Sequence, residues 1–368
     1  MNYVSIEELC EILNGYAFKS DNYVEEGVRI IRIANVQKGY IEDNTPVFCQ
    51  YDNLELEKYM LMENDLLISL TGNVGRVALL TREFLPAALN QRVACLRLKN
   101  KEVLKKYLFY CLSANGFEEK CIRSAKGVAQ KNMSTEWLKK YKIPLYSSNE
   151  QIQIVRSLDF ISRTINNRKK QLQKLDELIQ ARFVEMFEKK NCESVRLGDV
   201  CTKITDGTHK TPDYLDKGIT FISAKNIVNG ELDFSDVKHI SEEQYMEIQK
   251  RCQTELNDIL LSKSGSLGVP VIIKTDKRLG LFESLAVIKY DRTKLIPEFL
   301  CEQLKTERIQ RQFRTGIKGV AVKHLHLGVI SDIRVIVPPI EEQNQFADFV
   351  NQVHKSKFVV ILQNRILD

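Results

Sequence analysis

The chain repeats itself once, at an offset of about 192 residues, and a long-period repeat dictates architecture before any single motif does. Val4, Ile6, Leu9 and Cys10 return as Val195, Leu197, Val200 and Cys201, and the turn dipeptide Asn14-Gly15 returns as Asp206-Gly207. EEGVRIIRIANVQKG (25–39) matches DKGITFISAKNIVNG (216–230), each reading as a strand between glycine turns. ENDLLISLTGNVGRVALL (63–80) matches LNDILLSKSGSLGVPVII (256–273): an Asn-Asp, a β-rich run, a G-x-x-G turn and a second β-rich run, the pattern of a hairpin. KGVAQKNMS (126–134) then matches KGVAVKHLH (318–326), Ile143-Pro144 matches Val337-Pro338, and Asn149-Glu150-Gln151 matches Glu341-Glu342-Gln343 at the start of a helical stretch. Two copies of one β-rich module, each followed by a helix, are therefore expected.

The 368 residues, 43% hydrophobic and 28% charged, suffice for two globular domains. Nine cysteines without a C-x-x-C pair argue against a zinc site or a disulfide framework and for reduced thiols. His324-x-His326 has no accompanying ligand set, and its counterpart is Asn132-Met133-Ser134, so no metal is expected. The opening MNYVSIEELCEILNG lacks a signal pattern and no run approaches the roughly 20 apolar residues of a membrane span, so a soluble, cytoplasmic protein is expected. The net charge of +6 is compatible with a polyanionic partner without demanding one.

From Glu150 to Phe187, apolar residues from Ile152 and Val155 to Phe183 and Met186 recur at three- and four-residue steps with no proline or glycine, which predicts one long amphipathic helix. At 1.5 Å per residue it spans on the order of 55 Å. Asn166, Asn167 and Arg168 interrupt the stripe, as a register-fixing contact or a break in packing would. Phe346, Phe349, Val350, Val353, Phe358, Ile361 and Leu362 give a weaker second stripe, and two such stripes can pair antiparallel. Residues 151–190 hold nine Lys/Arg against five Asp/Glu. Arg163, Arg168, Lys169 and Lys170 are thus candidates for phosphate contacts or for a solvated helix face.

In order and in duplicate, these segments resemble the specificity subunits of type I restriction–modification systems. The resemblance rests on NGYAFKS (14–20), IRIANVQKG (31–39), NDLLISLTGNVG (64–75), LNQRVACL (89–96) and NEQIQIV (149–155) in the first half, and on residues 195–227, 257–268 and 336–350 in the second. It implies an α+β fold with two β-rich target recognition domains separated and flanked by long helices that pair antiparallel, as a pseudo-two-fold internal repeat. The expected division is a first recognition domain at 1–147, a spacer helix at 148–190, a second recognition domain at 191–339 and a short C-terminal helix at 340–368. The second helical region departs from the family pattern by stopping short, at VVILQNRILD.

The resemblance further implies that each recognition domain reads one half of an asymmetric, bipartite DNA site, while the helices space the halves and dock modification subunits, two of them. Those partners bind S-adenosylmethionine and methylate adenine, and a separate restriction subunit uses ATP and Mg to translocate and cleave DNA. The chain itself is expected to hold no cofactor and no catalytic residue. It carries no phosphate-binding loop, dinucleotide fingerprint or nucleophile elbow, and no Asn-Pro-Pro-aromatic motif. A specificity subunit of a fused restriction–modification enzyme and a protein-binding scaffold without a DNA role are the alternatives.

Sequence readout needs Arg, Lys, Asn, Gln and hydroxyl side chains delivered from loops at the rim of a stable sheet. In the first copy the candidates are Tyr16, Lys19, Thr71, Asn73, Arg76, Asn90, Gln91, Arg92, Lys126, Gln130, Lys131 and Asn132. In the second they are Thr208, His209, Lys210, Thr211, Lys263, Ser264, Ser266, Ser284, Lys318, Lys323 and His324. Asn90-Gln91-Arg92 stands opposite Phe282-Glu283-Ser284, the divergence that two different half-sites require. The two G-x-x-G turns serve either as plain hairpin turns or as backbone nests for phosphate.

Overall fold

Runs that are apolar at consecutive positions, such as Leu66–Leu67–Ile68 and Ile259–Leu260–Leu261, make strands that must be buried on both faces, because successive side chains point opposite ways. A computed structural model shows how the chain covers them. It describes residues 2–50, 56–99, 101–125, 132–189, 194–228, 230–316 and 324–365, in two units divided between Thr164 and Ile165.

The first unit contains β1 (Asn2–Ser5), α1 (Ile6–Leu9), β2 (Cys10–Asn14), β3 (Val28–Ile31), β4 (Phe48–Cys49), β5 (Leu66–Ser69), β6 (Val77–Leu79), β7 (Ala87–Leu89) and β8 (Val93–Leu98). Helices α2 (Lys105–Ser113), α3 (Asn115–Ser124) and α4 (Thr135–Lys140) follow, then β9 (Lys142–Leu145) and the long α5 (Ser148–Phe183). Strands β2-β8-β5-β6 form an antiparallel sheet, β4-β3-β7 a second in which β3 and β7 run parallel, and β1 pairs with β9.

The second unit has β10 (Ser194–Arg196), β11 (Cys201–Asp206), β12 (Ile219–Ile222), the β13–β14 hairpin (Ile227–Val228, Glu231–Leu232), β15 (Lys238–Ile240) and α6 (Glu242–Arg251). It continues with β16 (Ile259–Ser262), β17 (Pro270–Ile272), β18 (Leu279–Leu281), β19 (Leu285–Tyr290), α7 (Pro297–Lys305), α8 (Glu307–Gly316), α9 (Leu327–Asp332), β20 (Arg334–Ile336) and α10 (Ile340–Arg365). Its sheets, β11-β19-β16-β17, β15-β12-β18 with β12 and β18 parallel, and β10-β20, repeat the first unit strand for strand.

In each copy the four-stranded sheet lies between two apolar clusters. Leu66, Ile68, Ala94 and Leu96 face α1 to α4, whereas Leu67, Val93 and Cys95 face the three-stranded sheet. Ile259, Leu261, Ala286 and Ile288 face the helices of the second unit, and Leu260, Leu285 and Val287 face its three-stranded sheet.

The shared polar motifs turn out to be structural. Asn64 and Asn257 adopt left-handed backbone angles, φ 65° and 70°, a conformation that asparagine tolerates better than most side chains. The next residues, Asp65 and Asp258, are buried carboxylates that accept from the backbone N–H of Met62 (2.9 Å) and Glu255 (2.8 Å). Each is neutralised from the neighbouring inner strand, Asp65 by Arg97 of β8 (2.7 Å) and Asp258 by Lys289 of β19 (2.7 Å).

Gln151 and Gln343, both fully buried, fasten the start of each long helix to its unit. Gln151 accepts from Leu104 N–H (2.9 Å) and donates to the carbonyls of Glu102 (3.0 Å) and Tyr146 (2.9 Å). Gln343 accepts from Ile296 N–H (3.0 Å) and donates to the carbonyls of Lys294 (2.7 Å) and Pro338 (2.8 Å).

Helix α5 runs through Asn166-Asn167-Arg168 without a break, and its last turn widens to π geometry at Val184–Glu188. Within the second unit its C-terminal half pairs antiparallel with α10: Asp176 bonds Lys357 (2.6 Å), Arg182 lies over the Phe349 ring, and Phe183 meets Phe346. Phe183, Phe187, Phe299 and Phe346 are mutually packed, with every pair of ring centroids 5.1–6.2 Å apart.

Replacing Gln343 by leucine leaves an N–H and two carbonyls without partners in a dry environment, at a cost of about 2–4 kcal/mol. Urea unfolding should show this as a lowered midpoint. A loss below about 0.5 kcal/mol would mean that the glutamine does not hold the helix.

Candidate nucleic-acid interface

A sheet covered on both faces meets solvent at its ends and along its edge strands, and one end in each unit gathers most of the candidate residues. In the first unit β2 leaves the sheet at Asn14, β5 leaves at Ser69 and β8 enters at Val93, all at the same end. Backbone bonds then knit the emerging loops together. Tyr16 N–H donates to Leu89 O (2.8 Å), Gln91 N–H to Tyr16 O (3.0 Å), Leu70 N–H to Arg92 O (2.9 Å) and Met133 N–H to Leu70 O (2.8 Å).

The second unit makes the same four bonds. Thr208 N–H donates to Leu281 O (2.9 Å), Glu283 N–H to Thr208 O (3.0 Å), Lys263 N–H to Ser284 O (2.8 Å) and Leu325 N–H to Lys263 O (2.9 Å). Gly15 and Gly207 lie so close to the backbone after β7 and β18 that an added Cβ would sit 2.2 Å from Asn90 C and 2.1 Å from Leu281 O. Only glycine fits these crossings.

The G-x-x-G loops are hairpin turns closed from within. Gly72, Gly75, Gly265 and Gly268 all have positive φ. Ser69 Oγ accepts from Arg76 N–H (3.0 Å), Ser262 Oγ accepts from Val269 N–H (2.9 Å), and the Gly75 and Gly268 N–H groups donate to Ser69 O (2.9 Å) and Ser262 O (2.8 Å).

On the first scaffold the side chains of Lys19, Asn73, Gln91, Arg92 and Asn132 are exposed, and Arg76 is half-buried. The Tyr16 ring lies 5.0 Å from Phe18 and 5.3 Å from Tyr59 and is partly exposed. Thr71 and Asn90 are buried, so they shape the loops more than they present groups. The guanidinium Nε atoms of Arg32 and Arg76 are buried without a hydrogen-bond partner. Arg32 was absent from the expected set because it follows a strand rather than a glycine turn.

On the second scaffold His209, Lys210, Thr211 and Ser266 are exposed, and Thr208, Ser264 and His324 are half-buried. Ser284 is buried, and its hydroxyl accepts from Ala224 N–H (3.0 Å). Lys126, Gln130, Lys131, Lys318 and Lys323 lie outside the described residues.

Lys263 occupies a place that its charge does not suggest. It stands where Leu70 stands in the first copy and is 3% exposed. Its ammonium bonds Asp206 Oδ2, and Asp206, itself 2% exposed, stands where the first copy has Asn14. Arg251 Nη2, at the end of α6, bonds Asp206 Oδ1. His209 Nε2 lies 3.3 Å from that oxygen and 3.1 Å from Arg251 Nη2, while His209 Nδ1 lies 2.6 Å from Glu283 Oε2.

Burial alone would raise the Asp206 pKa, but the bonds from Lys263 and Arg251 outweigh it and hold the carboxyl below its ordinary value. Its stabilising effect is therefore complete above about pH 4, the unfolded aspartate value, and is lost as pH falls through the lowered one. Around this network opens a cleft of about 540 Å³ lined by Thr208, His209, Lys210, Glu247, Ile248 and Arg251. Among the described residues no cluster of His, Cys, Asp and Glu could hold a metal ion, and no helix is long and apolar enough to cross a membrane.

Comparison with known proteins places this geometry among relatives. The family model described as the type I restriction modification DNA specificity domain matches residues 1–177 and again 189–365. The chain is 25% identical over 383 residues to the type I restriction enzyme EcoBI specificity subunit of Escherichia coli, covering 95% of this chain and 78% of that one. It is 32% identical over 162 residues to the EcoAI specificity subunit of Escherichia coli, covering 43% of this chain and 27% of that one.

Among solved structures, the fold is similar to the type I restriction–modification S subunit from M. genitalium, with a TM-score of 0.51 at 16% identity, over 100% of this chain and 92% of that one. It is similar also to a chain from a study of type I R-M complex assembly, with a TM-score of 0.54 at 16% identity, over 100% and 94%.

The internal repeat supplies its own test of the buried ion pair. Asp206→Ala strands the Lys263 ammonium and should cost about 3–5 kcal/mol. The double change Asp206→Asn with Lys263→Leu, which copies Asn14 and Leu70 of the first unit, should return stability to within about 1 kcal/mol of the parent. Urea unfolding decides, and an equal loss in both variants would rule out the unpaired charge as its cause.

Proposed function

Because the chain belongs to the type I restriction–modification DNA specificity family, we propose that its two loop ends each read one half of an asymmetric, bipartite site in duplex DNA. Members of the family confer DNA specificity without catalysing the reaction themselves, in complexes whose methyltransferase and restriction activities lie in other subunits. The observation that carries the reading is that one backbone scaffold occurs twice with different chemistry at matching places. Tyr16, Gln91 and Arg92 stand where Thr208, Glu283 and Ser284 stand, on the same bonded ladder. A sheet that holds loops rigidly while their side chains vary is what sequence readout requires.

In this reading residues 1–147 and 191–339 are the recognition domains, with 148–190 and 340–368 the spacer helices. The first half-site is read by Tyr16, Lys19, Asn73, Arg76, Gln91, Arg92 and Asn132 with Lys126, Gln130 and Lys131, on loops shaped by Thr71 and Asn90. Thr208, His209, Lys210, Thr211, Ser264, Ser266 and His324 with Lys318 and Lys323 read the second, shaped by Lys263 and Ser284. Helix α5 is continuous across the division at Thr164, which supports its role as the spacer that sets the distance between half-sites.

The same helices dock two modification subunits, which bring S-adenosylmethionine to adenine, and a restriction subunit brings ATP and Mg. The complex works where the DNA is, in the cytoplasm.

Methylome sequencing of cells with and without this chain and its modification subunit tests the proposal. One bipartite methyl-adenine motif should disappear with the chain, and an unchanged methylome would refute it. Within a working complex, Gln91→Ala or Arg92→Ala should relax discrimination by about 1–3 kcal/mol at positions of one half-site only, read by binding to duplexes with single base-pair changes. Relaxation in both halves would contradict independent reading.

A further inference from the structure

We propose that the cleft between the Gly207–Lys210 loop and the end of α6 is a base-reading pocket, in which Arg251 recognises a guanine edge in the half-site read by the second unit. This rests on the DNA-recognition reading above and names a residue and a base class within it.

Arg251 is half exposed and stands at the wall of the cleft. Its guanidinium is oriented from behind. Nη2 is committed to Asp206 Oδ1 and lies 3.1 Å from His209 Nε2, whereas among the described residues Nη1 and Nε have no partner. A guanidinium held at Nη2 presents its Nη1 donors in a fixed direction, and the neighbouring acceptors O6 and N7 of guanine in the major groove suit a donor so placed.

Both ends of the residue are fixed. Asp206 is buried and locked by Lys263. Lys203 Nζ donates to the Arg251 carbonyl (2.7 Å), holding the helix end against β11. His209 Nδ1, 2.6 Å from Glu283 Oε2, keeps the imidazole ring edge-on to the guanidinium. Reading groups need this kind of support to discriminate between edges that differ by a single donor or acceptor.

The charges around the cleft favour a base over a phosphate. Among the residues at the cleft Arg251 is paired with Asp206, His209 bonds Glu283 and Glu247 is paired with Lys250, so most of its charge is already balanced. A phosphate gains little from charges already paired, whereas a neutral base edge needs only an oriented donor. The first unit has Asn14 and Leu70 in place of Asp206 and Lys263, so the device belongs to one half of the repeat alone.

The test uses the complete complex with its modification subunits, as parent, Arg251→Ala and Arg251→Lys. Binding is measured to a panel of duplexes carrying every single base-pair change in both half-sites, at several salt concentrations. Both variants should lose about 10- to 100-fold of the preference at one G·C pair of one half-site. The other half-site and the slope of affinity against salt should stay unchanged.

Uniform weakening on every sequence, with a reduced salt slope and rescue by lysine, would overturn the proposal in favour of a phosphate contact. Unchanged discrimination in both variants would overturn it outright. A parent complex without any sequence preference would instead overturn the recognition reading and this inference with it.

Discussion

A four-stranded sheet buried on both faces leaves only its ends and its edge strands open to function, and that constraint organises each half of this chain. Ile68 and Leu67 point to different clusters, as do Leu261 and Leu260, so no residue of the inner strands β5 and β16 is open to a ligand. Loops emerging from one end are cross-linked by their own backbone and can exchange side chains without disturbing the layers beneath. The protein thus holds its stability in repeated apolar strands and confines its divergence to the loops at their ends.

The helices obey a second version of the same rule. Gln151 and Gln343 fix the helix starts through buried hydrogen bonds that tolerate little displacement. The Phe183, Phe187, Phe299 and Phe346 cluster then ties the two long helices to α7 in the second unit. A helix keeps a fixed direction only if its attachment is rigid, and mutually packed aromatics with a dry glutamine provide such an attachment.

The duplicated scaffold was legible in the sequence because its constraints are local and strong. Positive-φ asparagines at 64 and 257, glycines crossing backbone at 15 and 207, and runs apolar at consecutive positions restrict residue choice, so both copies keep them. The long helix was legible because a 3.6-residue period over ten turns has no other reading. The Asp206 network was not legible. Asp206, His209, Arg251, Lys263 and Glu283 are scattered through the second copy, and only the strand order brings them together.

Lys263 shows most plainly why. A lysine beside a glycine turn reads as a surface loop residue, yet its register continues β16 into the position that Leu70 fills in the first copy. A single sequence carries the charge of a residue but not the carboxylate that waits for it across the sheet. For the same reason Gln151 and Gln343 mark the helix starts in the sequence, while the three hydrogen bonds that make each an anchor exist only in the fold.

The central claim is that the two loop ends read DNA independently on one shared scaffold. It is tested most directly by a chain in which residues 191–339 also replace residues 1–147, combined with the modification subunits and followed by methylome sequencing. The account predicts methylation at sites built from two identical half-site sequences, with the parent motif lost. Continued methylation of the parent's asymmetric motif would contradict it.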